Sequence, residues 1–311
     1  MNIVIVGGGV VGTATGLGFQ RLGHDVQVWD VRGDCLAAAK GLPVANAPPW
    51  ASWRRASPTD VIFFCVPESK IDEATLAVHQ VLAPVSKEDG LTVGRVGFDV
   101  QDIHVPFYIR SSVPVGTCKR LSEKYGRHVG HNPEFLREAV AEYEFLNPPA
   151  VILGNCCHRH GGEMQKLYRS LRVLIHHTTP EVSELTKLAV NGYLACQVSY
   201  WNQVNLLADA LGVNSHEVGM LASHCDDRVS VYGSRMHGRP YGGKCLPKDL
   251  RQLIDLCEAQ KVAVPLLHAV ATVNYMMGSE GELERRCATC GKPFTSRFGS
   301  ITCDSCRSPD E

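Results

Sequence analysis

The segment Tyr-Gly-Gly-Lys-Cys-Leu-Pro-Lys-Asp, residues 241–249, has the residue types that a thiol nucleophile needs. Pro247 suits the first turn of a helix, so Cys245 is expected just before a helix N-terminus. There the helix dipole and the neighbouring lysines would favour the thiolate. The two glycines would let a substrate approach the sulfur, and Asp249 would fold back onto the same site. A structural cysteine in a turn is the alternative.

A second group of polar residues lies on a predicted helix from Glu181 to Leu211, which a proline precedes and a glycine ends. Glu184, Lys187 and Asn191 fall at i, i+3 and i+7, so they share one helix face. Solvation is the ordinary explanation for such residues. Because the same helix surface is partly apolar, we expect the polar group to face a cleft.

The first 30 residues form the pattern of a dinucleotide-binding unit. A short apolar strand at 2–6 leads into the turn Gly-Gly-Gly-Val-Val-Gly at 7–12. A helix at 13–22 and a strand at 25–29 follow, and the strand ends on Asp30. A unit that binds FAD or no nucleotide is the alternative.

Each glycine in this G-x-G-x-x-G pattern has a physical role. Gly7 permits the tight turn, Gly9 lets a pyrophosphate approach the backbone, and Gly12 lets helix and strand pack closely. Asp30 would accept both ribose hydroxyls and would repel a 2′-phosphate, which favours NAD. Because Arg32 lies two residues after Asp30, NADP stays open as an alternative cofactor.

Further apolar runs at 60–66 and 149–153 continue the pattern of a parallel sheet. The stretches 111–117 and 132–138 are predicted loops at strand ends, where open α/β sheets place their sites. The composition is ordinary for a globular chain of 311 residues, with 44% hydrophobic residues and a net charge of −1. It gives no reason to expect attraction to nucleic acid or membranes. No membrane span or signal peptide is evident, and we expect a cytoplasmic protein.

The tail, residues 279–311, carries a zinc-ribbon pattern. Two Cys-x-x-Cys pairs are predicted to hold one structural zinc ion through Cys287, Cys290, Cys303 and Cys306. The tail is locally basic, which suits nucleic acid, a carrier protein or simply a solvated surface. The run Cys156-Cys157-His158-Arg159-His160 also has metal-ligand types. It lies at a strand end with no matching partners in the sequence, and we predict no second metal site there.

Four separated segments, read with the N-terminal turn, resemble the UDP-glucose/GDP-mannose dehydrogenase family over roughly residues 1–275. They are Ser-Ser-Val-Pro-Val-Gly-Thr (111–117), Asn-Pro-Glu-Phe-Leu-Arg-Glu (132–138), Glu-Leu-Thr-Lys-Leu-Ala-Val-Asn (184–191) and Gly-Gly-Lys-Cys-Leu-Pro-Lys-Asp (242–249). We therefore expect an α/β chain with three parts. Two of these parts follow from the resemblance, an NAD-binding Rossmann domain with a parallel sheet (1–178) and an all-α dimerisation domain (179–278), and the third is the ribbon that the cysteine pairs predict (279–311).

The resemblance also implies a reaction, in which the primary alcohol of a nucleotide-linked sugar is oxidised to a carboxylate through a thioester on Cys245. Lys187 would stabilise the oxyanions, Asn191 would help to position them, and Asp249 would orient water or the lysine. Glu134 would be the general base for thioester hydrolysis.

The remaining roles that the resemblance implies are contacts. Ser112, where the family usually has Thr, would bind the hydrolytic water. NAD would contact Gly7, Gly9, Val10, Val11, Gly12, Asp30, Val66, Ser112 and Glu138. The substrate would contact Glu134, Phe135, Leu136, Lys187, Asn191, Arg228, Tyr241, Gly242 and Gly243. Arg228 would reach the partner's substrate in a homodimer built on the long helix.

We expect the chain to depart from the family by lacking the second Rossmann-like domain that usually follows and helps to hold the nucleotide. It also has Val66-Pro67-Glu68-Ser69 where the family usually reads Val-Pro-Thr-Pro. Two other functions therefore stay open. One is a two-electron dehydrogenase of small hydroxy acids, and the other is a catalytically retired module that binds NAD or nucleic acid.

Overall fold

The computed structural model describes residues 1–32, 41–43, 60–82, 105–243 and 245–278, together with the backbone of 283–286 and 293–296. The chain divides into two compact units, Met1–Lys187 and Leu188–Glu311. The division falls inside the long helix rather than at its start, where the sequence placed the domain boundary. Its first two turns contact the sheet domain through Glu184 and Lys187, which explains why the first unit extends that far.

The first unit is built on a seven-stranded sheet with the order β2-β1-β3-β4-β5-β6-β7. Its strands are β1 (Asn2–Val6), β2 (Asp25–Trp29), β3 (Val61–Phe64), β4 (Phe107–Ile109), β5 (Val129–His131), β6 (Ala150–Gly154) and β7 (Leu174–Thr178). All described strand pairs in this sheet are parallel except β5 and β6, which meet in one antiparallel pair, His131 with Gly154. The parallel α/β fold predicted from the sequence is thus confirmed.

Helices cover both faces of this sheet. They are α1 (Val10–Arg21), α2 (Ile71–Leu82), α3 (Thr117–Tyr125), α4 (Ala141–Leu146) and α5 (His158–Leu167), with short 3₁₀ turns at Glu68–Lys70, Glu138–Val140 and Arg169–Leu171. Strand side chains alternate between two apolar clusters, so Ile3 and Ile5 pack on one face and Val4 and Val6 on the other. A strand buried on both faces needs the continuous apolar run that the sequence showed.

In the part of the second unit that the structure describes, all elements are helices except the last two strands. Helix α6 (Pro180–Leu211) joins the two units and is followed by α7 (Ser215–Cys225), α8 (Val231–Arg235), α9 (Leu246–Ala259) and α10 (Pro265–Gly278). The predicted long helix is confirmed, and Gly212 ends it with φ +65°. Ala195 and Val198 of α6 pack with Leu250 and Ile254 of α9 in a small core.

Beyond α10, an antiparallel hairpin pairs β8 (Leu283–Arg286) with β9 (Pro293–Ser296). Among the residues that the structure describes, even the longest helix lacks an apolar stretch that could cross a bilayer. The four cysteines predicted to bind zinc lie outside the described residues.

Candidate active site

The turn between β1 and α1 has the geometry that its glycines predict. Gly7 adopts φ +106°, and a Cβ there would lie 2.7 Å from the carbonyl oxygen of Cys65. A Cβ on Gly12 would lie 1.8 Å from the carbonyl oxygen of Gly7. Any side chain at either position would therefore force the turn apart. Helix α1 begins at Val10 rather than at the predicted Thr13, because Gly9 is the N-cap and its carbonyl accepts from the Thr13 amide at 2.8 Å.

Asp30, at the end of β2, is fixed against this turn. Its Oδ2 accepts a hydrogen bond from the Gly8 amide at 2.8 Å, and its Oδ1 accepts from the Arg32 amide at 2.8 Å. The Arg32 Nε lies 3.8 Å from the same carboxylate. Each carboxylate oxygen keeps a further lone pair for a ribose hydroxyl. The Arg32 guanidinium beside this carboxylate is the reason why the sequence left both NAD and NADP as candidate cofactors.

The described residues fit a dinucleotide at this turn. A Cβ added to Gly9 would meet no atom within 4 Å, so the backbone faces open space where a phosphate would approach. The first N–H groups of α1 point toward an anion at such a position. A groove of about 850 Å³ runs from the turn along α1 and is closed on its other side by Glu138 and the residues that follow it. Glu138, predicted as an NAD contact, therefore lies across the groove from Val10 and Gly9.

Glu134 and Lys187 meet inside the first unit, as the sequence-based hypothesis requires of a general base and an oxyanion-stabilising cation. The Lys187 Nζ donates to the Glu134 carbonyl at 2.5 Å and lies 3.6 Å from its Oε1. The Glu134 carboxylate also accepts from the Leu136 amide at 2.7 Å. The ammonium lies 4.8 Å from the centre of the Phe135 ring. Both charged side chains are buried, so water screens their interaction weakly.

The loop that carries Ser112 is held by two buried groups of α6 and β5. Glu184 accepts hydrogen bonds from the amides of Gly116, at 2.6 Å, and Cys118, at 2.8 Å. Burial raises the pKa of this carboxyl. His131 bridges Ser183, 2.8 Å from its Nδ1, and the Ser111 carbonyl, 3.2 Å from its Nε2.

Burial lowers the pKa of His131 to about 3, so its ring is neutral at neutral pH. A carbonyl only accepts, so Nε2 carries the proton and Nδ1 accepts from the Ser183 hydroxyl. Ser112 itself is buried between these supports, and the Ser111 hydroxyl donates to the carbonyl of Val66, one of the predicted NAD contacts, at 2.5 Å.

In the second unit, Cys245 is the N-cap of α9, as predicted, with Pro247 in the first turn. Its thiol is exposed, and its carbonyl accepts from the Asp249 amide at 2.8 Å. The Asp249 carboxylate is fully buried, accepts a hydrogen bond from the Asn191 side chain, and lies 2.7 Å from the Lys248 Nζ. The helix N-cap thus connects through one carboxylate to α6.

The remaining predicted substrate contacts have different settings. Gly242 and Gly243 are exposed, and Gly243 has φ +76°. The Tyr241 ring lies in the helical core, and its backbone exchanges two hydrogen bonds with the Asn274 side chain. Arg228 is exposed and pairs with Asp226 of its own loop at 2.5 Å. Leu136 packs against the core of the first unit.

The sequence did not predict a buried hydrogen-bond network at the ends of β4 and β5. Arg110, which follows β4 directly, donates to the Asn132 side chain at 2.5 Å and to the Tyr168 hydroxyl at 3.0 Å. Asn132 in turn donates to the Ile152 carbonyl at 2.8 Å. The network connects the ends of β4 and β5 to β6. Asn132 belongs to a segment that the sequence singled out, but no spacing pattern points to Arg110 or Tyr168.

The prediction that Cys156, Cys157 and His160 lack matching metal-binding partners is wrong. His128, in the loop before β5, brings its ring to them, and one ligand atom from each of the four residues lies within 4.8 Å of the others. The sequence pattern failed here because His128 is distant along the chain and reaches the cluster only through the antiparallel meeting of β5 and β6.

Two family models match the chain. Residues 54–172 match the NAD binding domain of the UDP-glucose/GDP-mannose dehydrogenase family, and residues 181–276 match the central domain of the same family. The chain belongs to this family. The two matched ranges contain all four segments that carried the resemblance, from the loop of Ser112 to the nucleophile candidate Cys245. The NAD-binding model supports NAD as the cofactor of the first unit.

Relatives and solved structures agree with this membership. An uncharacterised protein of Methanocaldococcus jannaschii is 31% identical over 82% of this chain, which covers 30% of that protein. The UDP-glucose 6-dehydrogenase YwqF of Bacillus subtilis is 26% identical over 88% of this chain and 66% of its own length. The structure of a UDP-glucose dehydrogenase from Pyrobaculum islandicum superposes with a TM-score of 0.73 at 24% identity, covering 88% of this chain and 68% of that one. The chain therefore spans less than two thirds of the first two relatives, and the structural likeness shows the fold alone.

Proposed function

We propose that this chain is an NAD-dependent dehydrogenase that oxidises the primary alcohol of a nucleotide-linked sugar to a carboxylate through a thioester on Cys245. The observation that carries the proposal is the setting of Cys245. Cys245, whose side chain is exposed, occupies the N-cap position of α9, and the fourth residue after it, Asp249, is buried against Asn191. A helix N-terminus stabilises a thiolate, which is the nucleophilic form of cysteine.

The covalent route passes through an aldehyde, a thiohemiacetal and a thioester. The alcohol loses a hydride and a proton to give an aldehyde, and the Cys245 sulfur bonds to the aldehyde carbon as the oxygen takes up a proton. Loss of a second hydride and of the hydroxyl proton leaves a thioester. Water then adds, the carbon–sulfur bond breaks, and a carboxylate and the thiol are released. NAD⁺, when bound, would accept the hydride at each oxidation.

Charged residues of the first unit would serve the oxyanion and water steps. The buried Lys187 ammonium would stabilise negative charge on the substrate oxygen. Glu134, 3.6 Å from that ammonium, would accept a proton from the hydrolytic water, which Ser112 would hold. Asn191 follows Lys187 by four residues on α6, so the two side chains leave the helix on the same side.

We also propose that the chain forms a homodimer through α6. Tyr193, Tyr200, Leu207 and Leu211 are all exposed and recur at intervals of seven, seven and four residues. This spacing aligns them as one apolar stripe along the helix. A stripe of large apolar side chains this long is typical of a protein–protein contact, and a second copy of the chain is the partner that we propose. Arg228 would then act across the dimer.

The tail is proposed to fold around one structural zinc ion held by Cys287, Cys290, Cys303 and Cys306. The first cysteine pair lies in the connection between the antiparallel strands β8 and β9, where a ribbon places its first metal-binding turn. A nucleic acid or carrier protein could use the basic surface of such a ribbon.

The central experiment follows the sulfur. The full chain is incubated with NAD⁺ and either UDP-glucose or GDP-mannose, and NADH and carboxylate are quantified together. The Cys245 peptide is then analysed by mass spectrometry. We expect two NADH per carboxylate, an acyl adduct on Cys245, and loss of carboxylate formation in Cys245→Ser. Cys257→Ser, in the same helix, is the matched control and should retain the activity.

Two results would contradict this proposal. One NADH per product with an active Cys245→Ser variant would favour the two-electron hydroxy-acid dehydrogenase, which needs no thiol. No reduction of NAD⁺ with either sugar nucleotide, together with tight nucleic-acid binding, would favour the retired binding module.

A further inference from the structure

Four metal-ligand side chains converge at the junction of β5 and β6, away from the nucleotide turn. His128 precedes β5, Cys156 and Cys157 follow β6, and His160 lies in the first turn of α5. The Cys157 Sγ lies 3.2 Å and the Cys156 Sγ 3.5 Å from the His160 Nδ1. The rings of His128 and His160 meet edge to face with centroids 4.6 Å apart. From this convergence we propose that the cluster is a structural zinc site with two thiolate and two imidazole ligands.

The two sulfur–nitrogen distances match those around a tetrahedral ion. Zinc bonds of about 2.3 Å to sulfur and 2.0 Å to nitrogen place ligand atoms roughly 3.5 Å apart along a tetrahedron's edges. These sulfur–nitrogen distances lie at this value or slightly below it, and every pair of ligand atoms in the cluster lies within 4.8 Å. Two cysteines and two histidines select zinc over harder cations, and four protein ligands leave no open position for catalysis.

The local backbone brings the ligand residues close together. Cys157 is the N-cap of α5, with extended φ −163° and ψ 165°, and its carbonyl accepts from the Gly161 amide at 3.1 Å. His160 follows it by three residues, so both side chains lie on the same side of the first helical turn. His160 is 2% exposed. His128 is anchored by its carbonyl, which accepts from the Phe107 amide of β4 at 2.8 Å.

From the position of the cluster, a bound ion would stabilise the junction between β5 and β6. His131 and Gly154 form the only described pair between β5 and β6, which makes this junction the shortest in the sheet. In an antiparallel pair, His128 lies three residues before the first partner and Cys157 three residues after the second. The two are therefore opposite each other beyond the end of the pairing. A metal bound there would clamp the junction where backbone hydrogen bonds stop, and it would brace the loop after β5 that carries Glu134.

The first test measures metal content. The full chain and its variants are expressed with added zinc, purified without chelators, and analysed by elemental mass spectrometry. Cys157→Ser and His128→Ala should each lose about one zinc ion per chain relative to the unmodified protein. His158→Ala, in the same turn but outside the cluster, should lose none. Cys303→Ser removes a ligand of the proposed ribbon instead, so combining it with Cys157→Ser should lower the content further. Unchanged zinc in both cluster variants overturns the proposal.

The second test uses the unmodified chain, so it does not depend on variants that fold. Cysteines are alkylated with and without prior chelation and are quantified peptide by peptide. Cys156 and Cys157 should be protected until the metal is removed, while the exposed Cys225 reacts in both samples. The buried Cys65 and Cys118 should stay unlabelled, which reports that the fold is intact. Equal labelling of the cluster cysteines in both samples, or a disulfide between them, overturns the proposal.

Discussion

Asn191 donates a hydrogen bond from Nδ2 to Oδ2 of Asp249, 58 positions further along the chain, and both side chains are buried. Asp249 also closes the first turn of α9 on the Cys245 carbonyl. One amide of α6 therefore fixes the carboxylate that follows the candidate nucleophile. This hydrogen bond supports the fold, whichever reaction the chain performs.

Replacing Asn191 with Ala leaves a buried carboxylate short of one donor. We expect the free energy of unfolding to fall by about 1–3 kcal/mol, because an unmet hydrogen bond to a charged buried group costs its desolvation. Urea unfolding measures the change. Asp209→Ala removes an exposed hydrogen bond from Asn205 on the same helix and should cost less than about 0.5 kcal/mol. Equal costs at the two positions would contradict the role assigned to burial.

Gly9→Ala separates cofactor binding from stability. The added methyl meets no protein atom within 4 Å and Gly9 has φ −69°, so the fold should accept it with little change in melting temperature. It would project into the space proposed for the pyrophosphate. We expect the dissociation constant for NAD⁺, measured by calorimetry, to rise by at least about tenfold. Gly162→Ala, in α5, is equally open to a methyl and should bind NAD⁺ unchanged. Unaltered affinity in Gly9→Ala would place the dinucleotide elsewhere.

Glu134→Gln tests the proposed general base. Glutamine can still accept from the Leu136 amide but cannot take a proton from water, so thioester hydrolysis should slow by about 100-fold or more. A burst of NADH and an acyl adduct retained on Cys245 are the expected signatures in rapid-mixing and mass-spectrometric experiments. Glu144→Gln, which alters an exposed pair with Arg137 near this loop, is the control. A uniform loss of activity without acyl accumulation would reduce Glu134 to a support for Lys187.

His131 makes stability depend on pH in a defined direction. Its folded pKa of about 3 lies below the ordinary value of 6.5, so the unfolded chain binds the extra proton between these values. Its contribution to stability is complete above pH 6.5 and is lost as the pH falls toward 3, with a slope approaching about 1.4 kcal/mol per pH unit. Urea unfolding from pH 7 to pH 4 should show this slope reduced in His131→Asn. An identical pH dependence in both proteins would contradict the assignment.

Local patterns were enough to predict the nucleotide turn and α6. Position 12 must be glycine because a Cβ there would lie 1.8 Å from the carbonyl oxygen of Gly7. The spacing of Gly7, Gly9 and Gly12 shows this need in the sequence itself. Helix α6 was predictable because its proline start, its periodicity and its final glycine are all local signals.

Contacts that depend on strand order were not predictable in this way. His128 joins Cys156 and Cys157 only because β5 and β6 meet antiparallel, a reversal in an otherwise parallel sheet that no residue pattern announces. The link from Arg110 to Tyr168 likewise depends on which strands are neighbours. The resemblance to a family supplied roles for single residues, but it did not indicate that Tyr241 would place its ring in a core.

The apolar stripe on α6 predicts that the chain assembles as a dimer. Leu207 is 60% exposed on the stripe, and Leu174, on β7 of the other unit, is 62% exposed outside it. Leu207→Glu would bury a charge without a partner in the proposed dimer contact, whereas Leu174→Glu would leave its charge in water. We expect light scattering after gel filtration to give a dimer for the unmodified chain and for Leu174→Glu, and a monomer for Leu207→Glu. A monomeric unmodified chain, or a dimer that survives Leu207→Glu, would exclude this face as the contact, and Arg228 would then have no partner's substrate to reach.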